Sequence, residues 1–193
     1  MATLLVACGS FVPISGADDD VIDLIELEER ALQNAVANVA PSVVRIGTFG
    51  GLERVGKVLV AVGPTTGLVV SEDGYVISSA FNFVRKPDSI LVTIGDHPRA
   101  TAEIVARDRS RMLVLLKVNT EVKLVTPTIS PRNELVVGQW TLAVGRTLDS
   151  KTPNTSTGIL SAKNRIWGKA VQTDAKVSPS NYGGPLIDIH GRV

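Results

Sequence analysis

Ser178-Pro179-Ser180-Asn181-Tyr182-Gly183-Gly184-Pro185-Leu186 is the stretch on which the reading of this chain turns. Two successive glycines permit a backbone with φ > 0 and let other groups come close. Pro185 then fixes φ and directs the chain into an apolar run, Leu186-Ile187-Asp188-Ile189. Alone, the stretch is a sharp Gly-Gly-Pro turn between two strands. Whether it is more than that depends on what surrounds it.

The 193 residues suffice for one domain or two small fused barrels, and 44% hydrophobic composition allows a sizeable core. A net charge of +1, without a basic block, argues against nucleic acid as partner. Short runs rich in Val and Thr, punctuated by 17 Gly and 10 Pro, predict an all-β fold. The single Cys8 and the two separated histidines, His97 and His190, cannot assemble a zinc site, so no metal or cofactor is expected.

Residues 1–17 are apolar and uncharged, as in a signal peptide, and end on the small residues Ser15-Gly16-Ala17. Leu5-Val6-Ala7-Cys8 resembles a bacterial lipobox, which would place a lipid anchor on Cys8. Either reading predicts export to the periplasm or cell envelope. Residues 18–40 follow as a helix, acidic at Asp18-Asp19-Asp20, periodic from Val21 to Val39 and stopped by Pro41. Strands are expected from Ser42 to Ile46, Lys57 to Val62, Ile90 to Ile94 and Ala102 to Ala106. A hairpin spans Thr66 to Ser79 about a Glu72-Asp73-Gly74 turn. His97 lies in a surface turn. Residues 119–133, with Pro127 and Pro131, read as a linker.

Five separated motifs carry a resemblance. These are the Ser180-to-Leu186 loop; Asp73-Gly74-Tyr75 with Ser78-Ser79-Ala80-Phe81 after it; Met112 to Val118; Thr157-Gly158-Ile159-Leu160-Ser161-Ala162; and Val171-Gln172-Thr173-Asp174-Ala175. Taken in their order along the chain, they resemble the HtrA/Deg family of trypsin-like serine proteases. There the loop reads Gly-Asn-Ser-Gly-Gly-Pro-Leu, the hairpin ends Thr-Asn-Ala-His, and the third motif reads Asp-Leu-Ala-Val-Leu-Lys-Val. The resemblance runs from about Ala40 to Val193.

It implies a trypsin-like double six-stranded β-barrel with an N-terminal helix. Barrel one would span 42–118 and barrel two 134–193, within a domain of 41–193. Barrel two would be incomplete at the C-terminus, lacking the strand that pairs with substrate, with no PDZ domain. An unpaired edge there would lower stability.

The same resemblance implies that the triad is substituted. Tyr182 stands at the nucleophile, Phe81 at the base and Met112 at the orienting acid. Ser180, Asn181 and Tyr182 occupy the oxyanion loop, with Ser180 where the family has glycine. A serine nucleophile needs a base and backbone N–H donors aimed at the oxyanion. Phe81 offers no proton acceptor, and Asp108 lies four residues before Met112, in the preceding turn. Met112 is expected in the core at the start of a buried strand. Phe81, Met112 and Tyr182 are expected to pack together and plug the cleft.

Two functions follow. One is a pseudoprotease, an exported HtrA-like domain that binds polypeptide or a partner protease, alone or as a homo- or hetero-oligomer. HtrA relatives commonly trimerise through N-terminal segments. The other is a serine endopeptidase acting in proteolysis and protein quality control through other catalytic residues; a Ser–Lys dyad of Lys176 with Ser178 or Ser180 is one form. A structural envelope domain without ligand is a third reading, favoured if the cleft is filled.

Overall fold

The structure is a computed structural model that describes residues 23–50, 53–55, 58–60, 63–149, 151–179 and 181–193. The expected leader and lipid-anchor site, residues 1–17, and Asp18-Asp19-Asp20 lie outside the described residues. So does Ser180.

Helix α1 runs from Leu24 to Val39. Asp23 caps it: the carboxylate accepts from the backbone N–H of Ile25 (3.0 Å) and Glu26 (3.3 Å), satisfying donors that have no intrahelical partner. Pro41 ends it, as a proline must, within a short 3₁₀ turn over Ala40–Ser42. Only Ala35 and Val39 are fully buried, so the helix seats one narrow stripe.

Among the described residues twelve strands follow: β1 (Val43–Phe49), β2 (Glu53–Val55), β3 (Val58–Val60), β4 (Thr65–Val69), β5 (Tyr75–Ser79), β6 (Ser89–Thr93), β7 (Ala100–Asp108), β8 (Leu113–Val118), β9 (Trp140–Gly145), β10 (Asn154–Asn164), β11 (Ala170–Thr173) and β12 (Leu186–Ile187). Of the strand expected over Lys57 to Val62, Val58–Val60 form β3, which among the described residues pairs only with β2, apart from the barrel. Six strands close into an antiparallel barrel in the order β1-β4-β5-β8-β7-β6. The first, second, third and fourth of these in sequence are β1, β4, β5 and β6.

The second sheet is open, in the order β11-β10-β9-β12. Its order is third, second, first, fourth, which is the order of the same four strands in the closed barrel. In the barrel, β7 and β8 bridge from the fourth strand to the third. Among the described residues nothing bridges β12 to β11. The all-β, trypsin-like architecture with a half-barrel second sheet thus agrees with expectation.

Side chains on β8 alternate, with Val114, Leu116 and Val118 buried, as in a strand with one face to the core. They join Val44, Ile46, Val76, Phe83 and Val92 inside the barrel. Leu124, in the stretch read as a linker, fills the same core. Strand β4 is buried on both faces. Its Leu68 points outward to a second cluster with Ala35, Val39, Val43, Leu142, Val144 and Ile187. That cluster glues helix, barrel and second sheet together, because apolar area on all three leaves water at once. Arg146 is buried at the same seam and donates to the carbonyl of Ala40 (3.0 Å).

Candidate active site

The loop before β12 is a chain of tight turns. The N–H of Asn181 donates to the carbonyl of Ser178 (2.9 Å), that of Tyr182 to Pro179 (3.4 Å) and that of Gly184 to Asn181 (2.9 Å). Asn181 is buried: its Oδ1 accepts from the Ser178 hydroxyl (3.2 Å) and its Nδ2 donates to the Ala143 carbonyl (3.4 Å). Gly183, at φ 85°, and Gly184 explain why this turn is glycine-rich. A β-carbon on Gly183 would lie 2.3 Å from the Ser78 hydroxyl, and one on Gly184 would lie 2.0 Å from the Val144 carbonyl. The loop is wedged between the barrel and the second sheet.

The loop is also tied to the barrel by polar groups. The carbonyl of Tyr182 accepts from the Thr65 hydroxyl (2.7 Å) and the Thr66 N–H (3.3 Å). Thr65 Oγ1 in turn accepts from Nδ2 of buried Asn82 (2.5 Å). Asn82 adjoins Phe81 on a 3₁₀ turn, Ala80–Phe83, whose first free N–H is capped by the Ser79 hydroxyl (3.3 Å). The N–H of Ala80 donates to the carbonyl of Met112 (2.8 Å). Three distant stretches are thereby brought to one place.

The side chains that meet there are aromatic. The rings of Phe81 and Tyr182 pack edge to face, centroids 5.6 Å apart and planes at 88°. This arrangement suits the ring quadrupoles. The expectation that Phe81, Met112 and Tyr182 would bury one another needs correction. Phe81 is 60% exposed and Met112 51%, so the pair forms a cap at the surface rather than an internal plug. Met112 is not in the core, either. It precedes β8 in the left-handed region, φ 55°, which turns its side chain out of the barrel alternation.

No imidazole joins this group. His97 is exposed in the β6–β7 turn, its N–H bonded to the Ile94 carbonyl (2.9 Å). His190 is exposed beside α1, its carbonyl accepting from Asn38 (3.4 Å). Asp108 is engaged elsewhere: the Arg111 guanidinium bonds its carboxylate (2.8 Å) and, with the Ser110 hydroxyl, holds it well below the usual carboxylate range. Lys176 is exposed, and its carbonyl accepts from the Ser156 hydroxyl (2.5 Å). Among the described residues no cluster of three or more His, Cys, Asp or Glu could hold a metal ion.

A cleft of about 1230 Å³ opens beside the cap, between Leu113 and Gly184 on one side and Lys163, Lys169 and Val171 on the other. Thr65 and Asn82, which tie Phe81's turn to Tyr182, were not legible in the sequence. Their partners are 17 and 117 residues away, and neither lies in a catalytic motif.

A closed six-stranded barrel joined to a sheet of the same strand order, with a Gly-Gly-Pro loop wedged at their seam, defines a trypsin-like fold. The profile described as a trypsin-like peptidase domain matches residues 65–193. The chain belongs to that family, in its HtrA/Deg branch. A Halomonas elongata protein named "Probable periplasmic serine endoprotease DegP-like" is 37% identical over 133 residues, covering 66% of this chain and 27% of its own length. A Chlamydia trachomatis protein of the same name is 37% identical over 134 residues, 66% of this chain and 26% of its own. A Hahella chejuensis protein of that name aligns with the whole of this chain at 30% identity, over 46% of its own length. The chain thus spans between about a quarter and under half of these relatives.

Proposed function

We propose that this chain is a catalytically inactive HtrA-like domain, exported to the periplasm or cell envelope, that binds polypeptide or a partner protease. One observation supports the reading: the rings of Phe81 and Tyr182, which the family's motifs align with base and nucleophile, pack edge to face with centroids 5.6 Å apart. Acyl transfer needs a nucleophile, a base and an orienting group. The phenyl ring of Phe81 has no atom that could take a proton from the Tyr182 hydroxyl. The oxyanion site is compromised as well. The N–H of Tyr182, which would point at a substrate oxygen, instead donates to the Pro179 carbonyl. The periplasmic location follows the names of the relatives.

Those same names favour a second reading, a serine endopeptidase of the HtrA family working through other residues. Ser178 would be its first candidate nucleophile, with Lys176 as base. A fluorophosphonate serine-hydrolase probe, run beside casein cleavage and an active HtrA relative, separates the two. Absence of both labelling and cleavage is the expected result. Labelling that persists in Tyr182→Phe would overturn the inactive reading and move the nucleophile to a serine.

A further inference from the structure

The turn joining β10 to β11 carries the most exposed large apolar side chain among the described residues. Trp167 is 93% exposed and its neighbour Ile166 61%. Both lie in the left-handed region, at φ 54° and 47°, with Asn164 at 59° and Gly168 at 79°. A β-branched residue rarely accepts that conformation. Two contacts help hold it: the Arg132 guanidinium donates to Asn164 Oδ1, and the Lys169 N–H donates to the Ile166 carbonyl (3.2 Å). The fold therefore holds two apolar side chains out into water on a strained tip. Strain that persists at a surface points to a use for it.

The charges around the tip are of one sign. Lys163, Arg165 and Lys169 are exposed on the turn, and Arg132 stands behind it. No Asp or Glu occurs from residue 160 to 173. Elsewhere Arg30, Arg111, Lys123, Lys151 and Arg192 are in ion pairs. None of Lys163, Arg165, Lys169 and Arg132 has a carboxylate partner among the described residues; Arg132 is held by Asn164 and Lys163 by the Leu135 carbonyl (2.7 Å), which leaves Arg165 and Lys169 as the outward charges. Glu134, the acid nearest in sequence to Arg132, is held by Arg192 (2.8 Å).

We propose that this tip docks the protein on an anionic lipid surface, with Trp167 and Ile166 entering the headgroup layer and the exposed cations Arg165 and Lys169 facing lipid phosphates. Indole rings settle at the membrane–water interface, where one edge is apolar and the other wet. A fluid bilayer accepts a protruding side chain without a shaped pocket, which suits a convex tip better than a protein partner does. Each cation near an anionic surface strengthens partition by about five-fold. With only two apolar side chains inserted, attachment is reversible. The inference is independent of whether the chain is a protease.

The test uses the full chain carrying Trp140→Phe, which leaves Trp167 as its one indole. It is mixed with vesicles of phosphatidylcholine containing about one part in three phosphatidylglycerol, or of phosphatidylcholine alone. Expected are a blue shift of Trp167 emission and quenching by brominated acyl chains with the anionic vesicles only, both weakened by salt. Trp167→Ala and, separately, Arg165→Glu with Lys169→Glu should each reduce binding by about ten-fold or more while leaving the thermal melt unchanged. Trp167 emission that stays water-like while the chain binds vesicles would overturn the proposal, because the contact then lies elsewhere. So would a blue shift produced by polyglutamate and not by vesicles, which would assign the tip to acidic polypeptide.

Discussion

The α-carbon of Gly184 stands so close to the carbonyl oxygen of Val144 that a β-carbon there would lie 2.0 Å from it. This contact joins the loop of the candidate site to the first strand of the second sheet. Its neighbour Gly183 makes the matching approach to the barrel. Since the obstacle is backbone, the added methyl can be accommodated only by moving a strand.

Gly184→Ala should therefore destabilise the protein by about 2–4 kcal/mol. Gly63, with nothing within 4 Å, is the control, and Gly63→Ala should stay within about 0.5 kcal/mol of the parent. Urea melts of the two variants decide it. Equal midpoints would mean that the loop is not wedged.

The Phe81–Tyr182 contact should register as a coupling energy. A double-mutant cycle with Phe81→Ala and Tyr182→Ala is expected to give about 0.5–1 kcal/mol, the lower part of the range for edge-to-face pairs because Phe81 is exposed. Additive effects would show that the rings meet without interacting.

Tyr182→Ser should remain unlabelled by the fluorophosphonate probe. The substitution supplies a hydroxyl but no base at Phe81, and the amide of residue 182 would still donate to Pro179. Labelling of this single variant would show that a base other than residue 81 reaches the loop.

Met112 sits at φ 55° with its side chain half in water. A non-glycine residue there carries a steric cost, so Met112→Gly should raise stability by about 0.5–1 kcal/mol, net of the greater freedom glycine has when unfolded. Chemical denaturation measures this directly. A loss would mean that the methionine side chain contributes more packing than its exposure indicates.

Asp188 provides an acid-sensitive element. It is buried, and burial by itself raises its pKa. Hydrogen bonds from the Arg192 N–H and guanidinium and from the His190 N–H outweigh that and hold the carboxyl below the usual carboxylate range. With the folded value depressed, its stabilisation is complete above the unfolded value of about 3.9 and is lost as pH falls through the folded one. Asp188→Asn should cost about 1–2 kcal/mol at neutral pH and flatten the stability profile below about pH 4. A variant with an unchanged acid limb would show that other carboxylates dominate there.

Much of this molecule was legible in the chain itself. The Glu72-Asp73-Gly74 turn and Pro41 predicted hairpin and helix end from local sterics. The helix start was less legible: periodicity ran back to Val21, whereas the described helix begins at Leu24, after the Asp23 cap. Five short motifs in order pointed to the family, and Tyr182, Phe81 and Met112 stood out against them because each differs in chemistry from what acyl transfer needs.

Tertiary structure decided what those residues do with one another. Met112 was expected in the core at the start of a buried strand, but a left-handed φ, set by the turn that Asp108 and Ala80 organise, puts it outside. The meeting of Phe81 with Tyr182 depends on Thr65 and Asn82, whose bonds span 17 and 117 residues and leave no local trace. Local backbone preference and side-chain period act over a few residues and can be read directly. Barrel closure, the seam around Leu68 and Val144 and the outward tip at Trp167 arise from contacts between distant segments, whose geometry exists only once the chain has folded.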